Sequence, residues 1–190
     1  MTETIDQVSW RIDDLELLPH SEGTIYEIIA GELFMTRTPH RRHQQICGRI
    51  FSHLNNWSES TGNGETIITP GIIFSDADNV IPDVVWVSQK RLVQIEDEAG
   101  HLTAAPELVV EVISLGIDNE KRDREVKVKL YSIQGVKEYW IVDRFRRQVE
   151  VYRRGKGKLT LVATLFEQDE LNSPLLPNFV VEINRFFGVR

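Results

Sequence analysis

Two nearly continuous apolar runs constrain the fold of this chain more than any other feature. Val84 to Val87 and Leu108 to Ile113 consist almost entirely of branched aliphatic and aromatic residues. Runs of this kind are typical of central strands that are covered on both faces. Each run also carries an acid, with Asp83 just before the first and Glu111 inside the second. A carboxylate in such a strand is costly without a partner or a metal ion, so both acids are candidates for a functional site.

A charged segment from Asp118 to Gln134 follows the second run and predicts a helix. Its expected packing side carries Val126, Leu130 and Ile133. The same segment contains Lys127. Two carboxylates and a lysine are the groups that hydrolysis of a phosphodiester would need.

The patterns on either side predict further helices and strands. Arg41 to Ser58 has apolar residues at helical spacing, and Ile12 to Leu18 predicts a short helix. Tyr26 to Met35 predicts a bent strand or a hairpin that breaks at Ala30 and Gly31. Further strands are predicted over Thr66–Thr69, Ile72–Phe74, Val136–Val142, Gln148–Arg153, Leu159–Leu165 and Pro177–Ile183. Together these elements predict a mixed sheet flanked by helices, a fold class between α/β and α+β.

Length and composition favour one globular domain. A chain of 190 residues can bury a core large enough to fold without disulfide bonds or structural metal ions. We therefore expect a single domain over 1–190, with an N-terminal helical extension over 1–20. The apolar runs are too short to span a membrane, and no secretory signal is recognisable. The single cysteine, Cys47, excludes an internal disulfide and suits a reducing cytoplasm. A net charge of -7 argues against bulk electrostatic binding of duplex DNA but is compatible with a local basic rim.

The acidic pair predicts a specific chemistry if its two strands are neighbours. The carboxylates of Asp83 and Glu111 would then converge at one end of the sheet. Hard oxygen ligands without a thiolate suit Mg²⁺ or Mn²⁺ better than Zn²⁺, and such an ion polarises a phosphoryl oxygen and lowers the pKa of bound water. Lys127 would orient that water or offset charge on phosphorus. A structural alternative stays open, in which Asp83 caps a turn, Glu111 pairs with an arginine and Lys127 is solvated.

Three segments are distinctive in combination. Two of these segments are Glu107 to Ser114 and Gly135 to Asp143. Between them, Asp123, Lys127 and Tyr131 follow one another at four-residue steps. Together they resemble the PD-(D/E)xK nuclease superfamily, and within it the bacterial family often called Uma-two endonucleases. The resemblance implies a restriction-endonuclease-like fold, a mixed sheet flanked by helices, and a metal-dependent endonuclease that hydrolyses DNA.

The resemblance extends from Tyr26 to Phe187 and implies roles for individual residues. Asp83 and Glu111 match the metal-binding acids of the family. The superfamily's usual lysine lies two positions after the second acid, where this chain has Ile113. Lys127 matches the lysine that this branch carries on the helix instead. A flexible ammonium side chain can reach the same point in space from a neighbouring helix.

Three further residues have a claim on the site. Glu32 matches an acid on the family's first strand and would add a metal or water contact, or else is an exposed strand residue. His43 stands where the family often has histidine and would donate to a phosphate or carry a proton, unless it is simply exposed beside Arg41 and Arg42. Glu27 has a similar but weaker claim.

The leading hypothesis is therefore a Mg²⁺- or Mn²⁺-dependent endodeoxyribonuclease with DNA as its partner. A homodimer is a further implication of the resemblance, since two strands need two sites. Ile113 and the acidic net charge favour an alternative, a catalytically inactive nuclease fold kept as a binding or regulatory module. A phosphohydrolase of small substrates is a third hypothesis. Candidate DNA contacts, which otherwise belong to solvated faces, are Arg41, Arg42, Lys121, Arg122, Arg124, Arg153, Arg154, Lys156 and Lys158.

Overall fold

The computed structural model describes residues 8–19, 23–37 and 40–188, with the side chains at 117 and 118 outside the description. The strands, in chain order, are β1 (Thr24–Ile29), β2 (Glu32–Arg37), β3 (Gly64–Ile68), β4 (Ile72–Ser75), β5 (Asp78–Val80), β6 (Val84–Ser88), β7 (Leu108–Val112), β8 (Glu138–Asp143), β9 (Gln148–Gly155), β10 (Lys158–Phe166), β11 (Glu170–Ser173) and β12 (Leu176–Glu182). The α-helices are α1 (Arg41–Thr61), α2 (Gln89–Ile95), α3 (Ile117–Lys121), α4 (Lys127–Gln134) and α5 (Asn184–Phe187). The predicted mixed sheet flanked by helices is confirmed.

A six-stranded mixed sheet positions the two acids of the apolar runs. Its spatial order is β10-β9-β8-β7-β6-β3, and only β7 and β8 are parallel. Strands β6 and β7 are antiparallel neighbours, with Val84 opposite Val110. The residue before β6 and the end of β7 therefore lie at the same edge of the sheet. This register is the reason that Asp83 and Glu111 can meet.

The central strands are covered on both faces, as their apolar composition predicts. On β7, Leu108 and Val110 pack in the cluster that contains α1. Val109 and the following Ile113 pack in a second cluster on the opposite face, against α2 and α4. The whole of β7 is buried. Glu111 alternates with Val110 and so faces the α4 side, where the second cluster lies.

The long amphipathic helix is confirmed and runs to Thr61, three residues beyond the predicted end. Ile46, Ile50 and Leu54 form its buried stripe. Gly62 ends the helix with φ 66°, a left-handed conformation that glycine adopts without strain. Among the described residues, no helix combines the length and apolar character needed to cross a bilayer.

A second sheet covers the edge at which the acids meet. Its order is β2-β1-β5-β4, and all of its pairs are antiparallel. The predicted break at Ala30 and Gly31 is a tight turn with φ 52° and 76°, so β1 and β2 form a hairpin. The hairpin brings β1 against the helical segment that follows β7.

That helical segment buries its predicted packing side only in part, since Leu130 is buried and Val126 is partly buried against the core, whereas Ile133 is not. A π-helical turn over Arg122–Val126 separates α3 from α4, with the Lys127 N–H bonded to the Arg122 carbonyl. Ile133, which was predicted to pack, is 70% exposed. Lys127 and Tyr131 are buried instead. The helix therefore turns a polar stripe toward the protein interior, and π turns of this kind are frequent at functional sites.

The ends of the chain match the predictions only in part. Ile12–Leu17 forms a 3₁₀ helix, close to the predicted short helix. The predicted extension over 1–20 also includes residues 1–7 and 20, which lie outside the described residues.

The short helix α2 after β6 was missed by the sequence patterns, because seven residues are too few to establish a helical period.

Candidate active site

Four acids and two basic residues line one small cavity at the edge of the central sheet. The cavity has a volume of about 40 Å³, which is room for a metal ion and a few water-sized groups. Its carboxyl groups belong to Glu27, Asp83, Glu111 and Asp123, and its permanent cations are Arg122 and Lys127. The cavity is therefore richer in carboxyl groups than in cations, and this imbalance suits a divalent metal ion.

Lys127 lies at the centre of this arrangement. Its side chain is 1% exposed, and its Nζ donates to Glu111 Oε1 at 2.7 Å and to Glu27 Oε1 at 2.9 Å. Burial alone would lower the pKa of Lys127, but the charges of Glu111, Glu27 and Asp123 outweigh it and raise the pKa above its usual value. The side chain is therefore an ammonium at any physiological pH.

Glu111 is held by two donors in a nearly water-free position. Besides the ammonium of Lys127, the hydroxyl of Tyr131 donates to Glu111 Oε1 at 3.1 Å. Burial raises the pKa of Glu111 to about 8, against the opposing effect of Lys127, and nearby Asp83 adds to the increase. A carboxyl group of this kind exchanges its proton for a metal ion near neutral pH.

Asp83 is the more accessible acid of the pair, with a side chain 17% exposed. Its Oδ2 accepts the Val112 N–H at 2.7 Å and lies 3.3 Å from Nε2 of His43. The contact with Val112 ties Asp83 directly to the residue after Glu111. Asp83 and Glu111 thus meet at one edge of the sheet, as the sequence predicted for neighbouring strands.

His43 is buried, so the interpretation of this residue as exposed is wrong. Its Nε2–H donates to the Val112 carbonyl at 2.8 Å, and its Nδ1 lies 3.4 Å from Cys47 Sγ. Burial lowers the pKa of His43, but the hydrogen bond and charge of Asp83 outweigh it and leave the pKa raised. The contact at 3.3 Å between His43 Nε2 and Asp83 Oδ2 therefore helps to fix the position of the Asp83 carboxylate.

His43, Cys47 and Asp83 also form a group whose ligand atoms lie within 4.8 Å of one another. Such a group offers a metal site of mixed ligand type. Burial raises the pKa of the Cys47 thiol well above its usual value, and the charges of Asp83 and Glu111 raise it further. The thiol therefore keeps its proton, and a protonated thiol is a poor ligand for a hard ion such as Mg²⁺.

The structure brings Glu27, not Glu32, into the cavity. Both acids belong to the β1–β2 hairpin, and Glu32 sits opposite Ile29 beside the turn. Glu32 is exposed and lines a different cavity with Lys129. Glu27 is 3% exposed and accepts the Ile81 N–H at 2.9 Å in addition to the Lys127 ammonium. The available signal was the position of Glu27 inside an apolar strand, the same signal that identified Glu111.

Arg122 and Asp123 complete the wall of the cavity. The sequence offered Arg122 only as a candidate DNA contact on a solvated face, but this side chain is buried. Arg122 lies 3.7 Å from Glu27 Oε2, and its Nε donates to Asp123 Oδ1 at 3.2 Å. Burial raises the pKa of Asp123, although Lys127 and Arg122 oppose the increase. The four-residue steps from Asp123 to Lys127 and Tyr131 were the signal, since all three side chains are buried on one side of the helix.

The chain is similar to known nuclease-like proteins in both sequence and fold. A family model described as "Uma2: Putative restriction endonuclease" matches residues 12–184. A crystal structure of a putative nuclease belonging to DUF820, from Anabaena variabilis ATCC 29413, has a TM-score of 0.72 to this chain at 18% sequence identity. The match covers 93% of this chain and 97% of that one, and it shows a common fold. A comparison with curated proteins found no match.

Proposed function

Because the chain belongs to the Uma2 family of putative restriction endonucleases, we propose that it is a metal-dependent endonuclease that hydrolyses phosphodiester bonds in DNA. The observation that carries the proposal is the cavity in which four carboxyl groups outnumber the cations Arg122 and Lys127. A divalent cation offsets the negative charge that these carboxyl groups carry once they have lost their protons, and the oxygen-rich wall suits Mg²⁺ or Mn²⁺.

Asp83 and Glu111 are the residues that would hold the ion. Both carboxyl groups line the cavity, and Asp83 is fixed by the Val112 N–H at 2.7 Å. When bound, the ion supplies Lewis-acid polarisation of the phosphate and a more acidic water. Cys47 is left out of the ligand set because its sulfur is a soft ligand, which a hard ion such as Mg²⁺ does not favour.

Lys127 has two roles in this proposal. Its ammonium offsets the buried acids around it, and it is positioned to stabilise negative charge that develops on the phosphate. Glu27 accepts from the same ammonium at 2.9 Å, so two carboxylates fix its position. Tyr131 orients the Glu111 carboxylate through its hydroxyl at 3.1 Å. His43 orients Asp83 in the same manner.

The direct test is the nicking of supercoiled plasmid by the purified protein. We expect conversion to open circles in Mg²⁺ or Mn²⁺ and none in EDTA, with activity restored when the metal is added back. A mononucleotide phosphate ester serves as the comparison substrate. Hydrolysis of the ester without nicking would assign the site to a small-molecule phosphohydrolase, and inactivity on both substrates with the metal bound would favour a binding module.

Replacing Glu27 by glutamine is expected to lower the nicking rate about 10- to 100-fold, as is typical for residues that orient metal-site groups. The amide keeps the shape of the side chain but loses the charge that holds Lys127. Glu32→Gln is the matched control, since Glu32 lies in the same hairpin and is exposed. Rates of both variants are compared by plasmid nicking in Mn²⁺. A larger loss in Glu32→Gln than in Glu27→Gln would contradict this assignment.

The affinity for Mn²⁺ is expected to rise with pH and to level off above about pH 8. Burial raises the pKa of Glu111 to about 8, so at lower pH the ion must displace a proton from this carboxyl group. Calorimetry in buffers of different ionisation enthalpy measures the released proton directly. We expect release in the parent protein near pH 7 and little release near pH 9. Equal proton release at both pH values would show that Glu111 is not the group displaced.

A further inference from the structure

A groove lined by arginines lies beside the candidate active site. Its basic residues are Arg41, Arg42, Arg49, Arg144 and Arg147, and the groove encloses about 740 Å³. No acidic residue is among the described residues that line it. This concentration of positive charge is notable in a chain whose net charge is -7. We refer to these five residues as the arginine groove.

The arginines of the groove are poorly compensated by the protein itself. Within the described part of the chain, only Arg147 has a carboxylate partner, which is Glu167. Arg41 donates weakly to Gln45, and Arg49 donates to the Phe186 carbonyl. By contrast, Arg122, Arg124 and Arg153 outside the groove all contact acids. The groove therefore concentrates arginines that, apart from Arg147, have no carboxylate partner among the described residues.

Arg144 gives independent evidence for a missing anion. Its Nε is buried and has no hydrogen-bond partner, a case that occurs nowhere else among the described side chains. Its guanidinium lies 4.1 Å from the ring centroid of Phe145, which fixes its orientation. Burial lowers the pKa of Arg144 and the charge of Arg42 lowers it further, and the charge of Asp143 opposes this only in part. A buried donor without an acceptor costs free energy, and so do like charges held together, unless a ligand supplies the negative charge.

Arg41 and Arg42 also lie at a place where positive charge is unfavourable. They form the first turn of α1, where the helix dipole is positive and cations are disfavoured. The amides of Arg42, His43 and Gln44 already donate to His40, so the two guanidinium groups are what favours an anion at this place. Since these residues do not stabilise the helix, their position is better explained by a ligand than by folding.

A cleft connects the arginine groove with the acidic cavity. The cleft shares Thr36, His43 and Ser114 with the cavity and Arg144 with the groove. A chain of phosphates could therefore pass from the groove into the cleft and bring one phosphodiester to the metal ligands. The geometry points to the arginine groove as the binding surface for the sugar–phosphate backbone of duplex DNA next to the cleaved bond. This inference rests on the proposed function, which supplies DNA as the ligand.

The experiment measures DNA binding separately from cleavage. A fluorescein-labelled DNA duplex is titrated in EDTA with the Glu111→Gln protein, which is expected to bind without cutting. Two groove variants are made in this background, Arg42→Gln/Arg144→Gln and Arg41→Gln/Arg42→Gln. The second changes only exposed residues at a helix N-terminus, where loss of positive charge favours folding. The matched control is Lys156→Gln/Lys158→Gln, an equal charge loss at two other basic residues that the sequence offered as DNA contacts, which the structure places on the exposed β9–β10 turn away from the cavity.

We expect each groove variant to bind about 10-fold more weakly or worse, and the slope of log Kd against log salt to fall by about 2. The lysine control should bind as the parent does, because β9 runs away from the cavity and its turn lies at the opposite end of the sheet. Unchanged binding in the groove variants, an equal loss in the control or no DNA binding by the parent would each overturn the inference. Competition by polyglutamate at the same affinity as DNA would also overturn it, in favour of an acidic protein partner.

The two proposals can fail separately. If the groove variants lose DNA binding as expected but the parent sequence with Glu111 never nicks plasmid, the groove stands and the endonuclease assignment falls. If nicking occurs but the groove variants bind and cut normally, the endonuclease assignment stands and the groove assignment falls.

Discussion

Replacing Glu111 by glutamine is expected to reduce plasmid nicking by about 10³-fold or more while the protein stays folded. The expected loss is about 4 kcal/mol of transition-state stabilisation, a size reasonable for removing a charged metal ligand. The glutamine oxygen can still accept from Lys127 and from Tyr131, which lie 2.7 and 3.1 Å from the carboxylate that it replaces. The fold should therefore survive the change.

The stability of this variant distinguishes a functional residue from a structural one. The pKa of Glu111 in the folded protein is about 8 and exceeds its unfolded value of 4.5. The folded state then binds more protons between these values, so the contribution of Glu111 to stability falls as pH rises through this window. Glu111→Gln removes that dependence and should be as stable as the parent or more stable near pH 8. Urea unfolding at several pH values measures the difference.

Glu107 provides the matched control for Glu111. It precedes β7 directly and is similarly buried, but it binds the Ser88 N–H at 3.1 Å and the Ser88 hydroxyl at 2.7 Å, and it does not line the cavity. Glu107→Gln should keep the nicking rate per folded molecule. Cleavage that persists in Glu111→Gln, or an equal loss in Glu107→Gln, would contradict the site.

Replacing Lys127 by methionine is expected to abolish nicking and also to destabilise the fold by about 3–5 kcal/mol at high pH. The side chain is 1% exposed, so its removal leaves Glu27, Glu111 and Asp123 buried without their central cation. Removing one partner of a buried charge cluster is costly because the remaining charges have no solvent to stabilise them.

The pH dependence of this loss is part of the prediction. At lower pH the buried carboxyl groups take up protons, since the pKa values of Glu111 and Asp123 are already raised by burial. The cost of Lys127→Met should therefore be smaller near pH 6 than near pH 9, as measured by urea unfolding. Lys129→Met is the control, because Lys129 is exposed on the same helix and should lose neither stability nor activity. An equal effect at both pH values would contradict a role for Lys127 in balancing buried acids.

Much of the fold followed from local patterns in the sequence. The continuous apolar runs predicted strands buried on both faces, and β7 is buried along its whole length. The break at Ala30 and Gly31 predicted a bent strand or a hairpin, and the structure has a hairpin in whose turn both residues adopt positive φ. These features depend on residues that are close in sequence, so their physical causes are visible without the fold.

The site was predictable where the sequence signal was an acid in an apolar strand. Asp83 and Glu111 were expected to meet if their strands were neighbours, and the antiparallel pairing of β6 and β7 supplies that condition. Glu27 is also an acid in an apolar strand, but the sequence interpretation favoured Glu32 as the site residue of this hairpin. Both acids belong to the hairpin against the helix, but Glu32 is beside the turn and Glu27 is level with Lys127. Which of these two acids reaches Lys127 depends on the position of the hairpin along the helix, and only the tertiary structure defines that position.

The sequence alone determined most of the elements and the kinds of residues that chemistry requires, because burial period, turn residues and misplaced charges are local properties. The tertiary structure decided which charges share a cavity. It places Lys127 between acids from β1 and β7, and it brings Arg144 from the end of β8 to Arg42 at the start of α1. Such contacts depend on strand register and helix rotation, which arise from packing the whole chain. The apolar runs thus predicted a core with two acids, and the packing around them decided which partners those acids have.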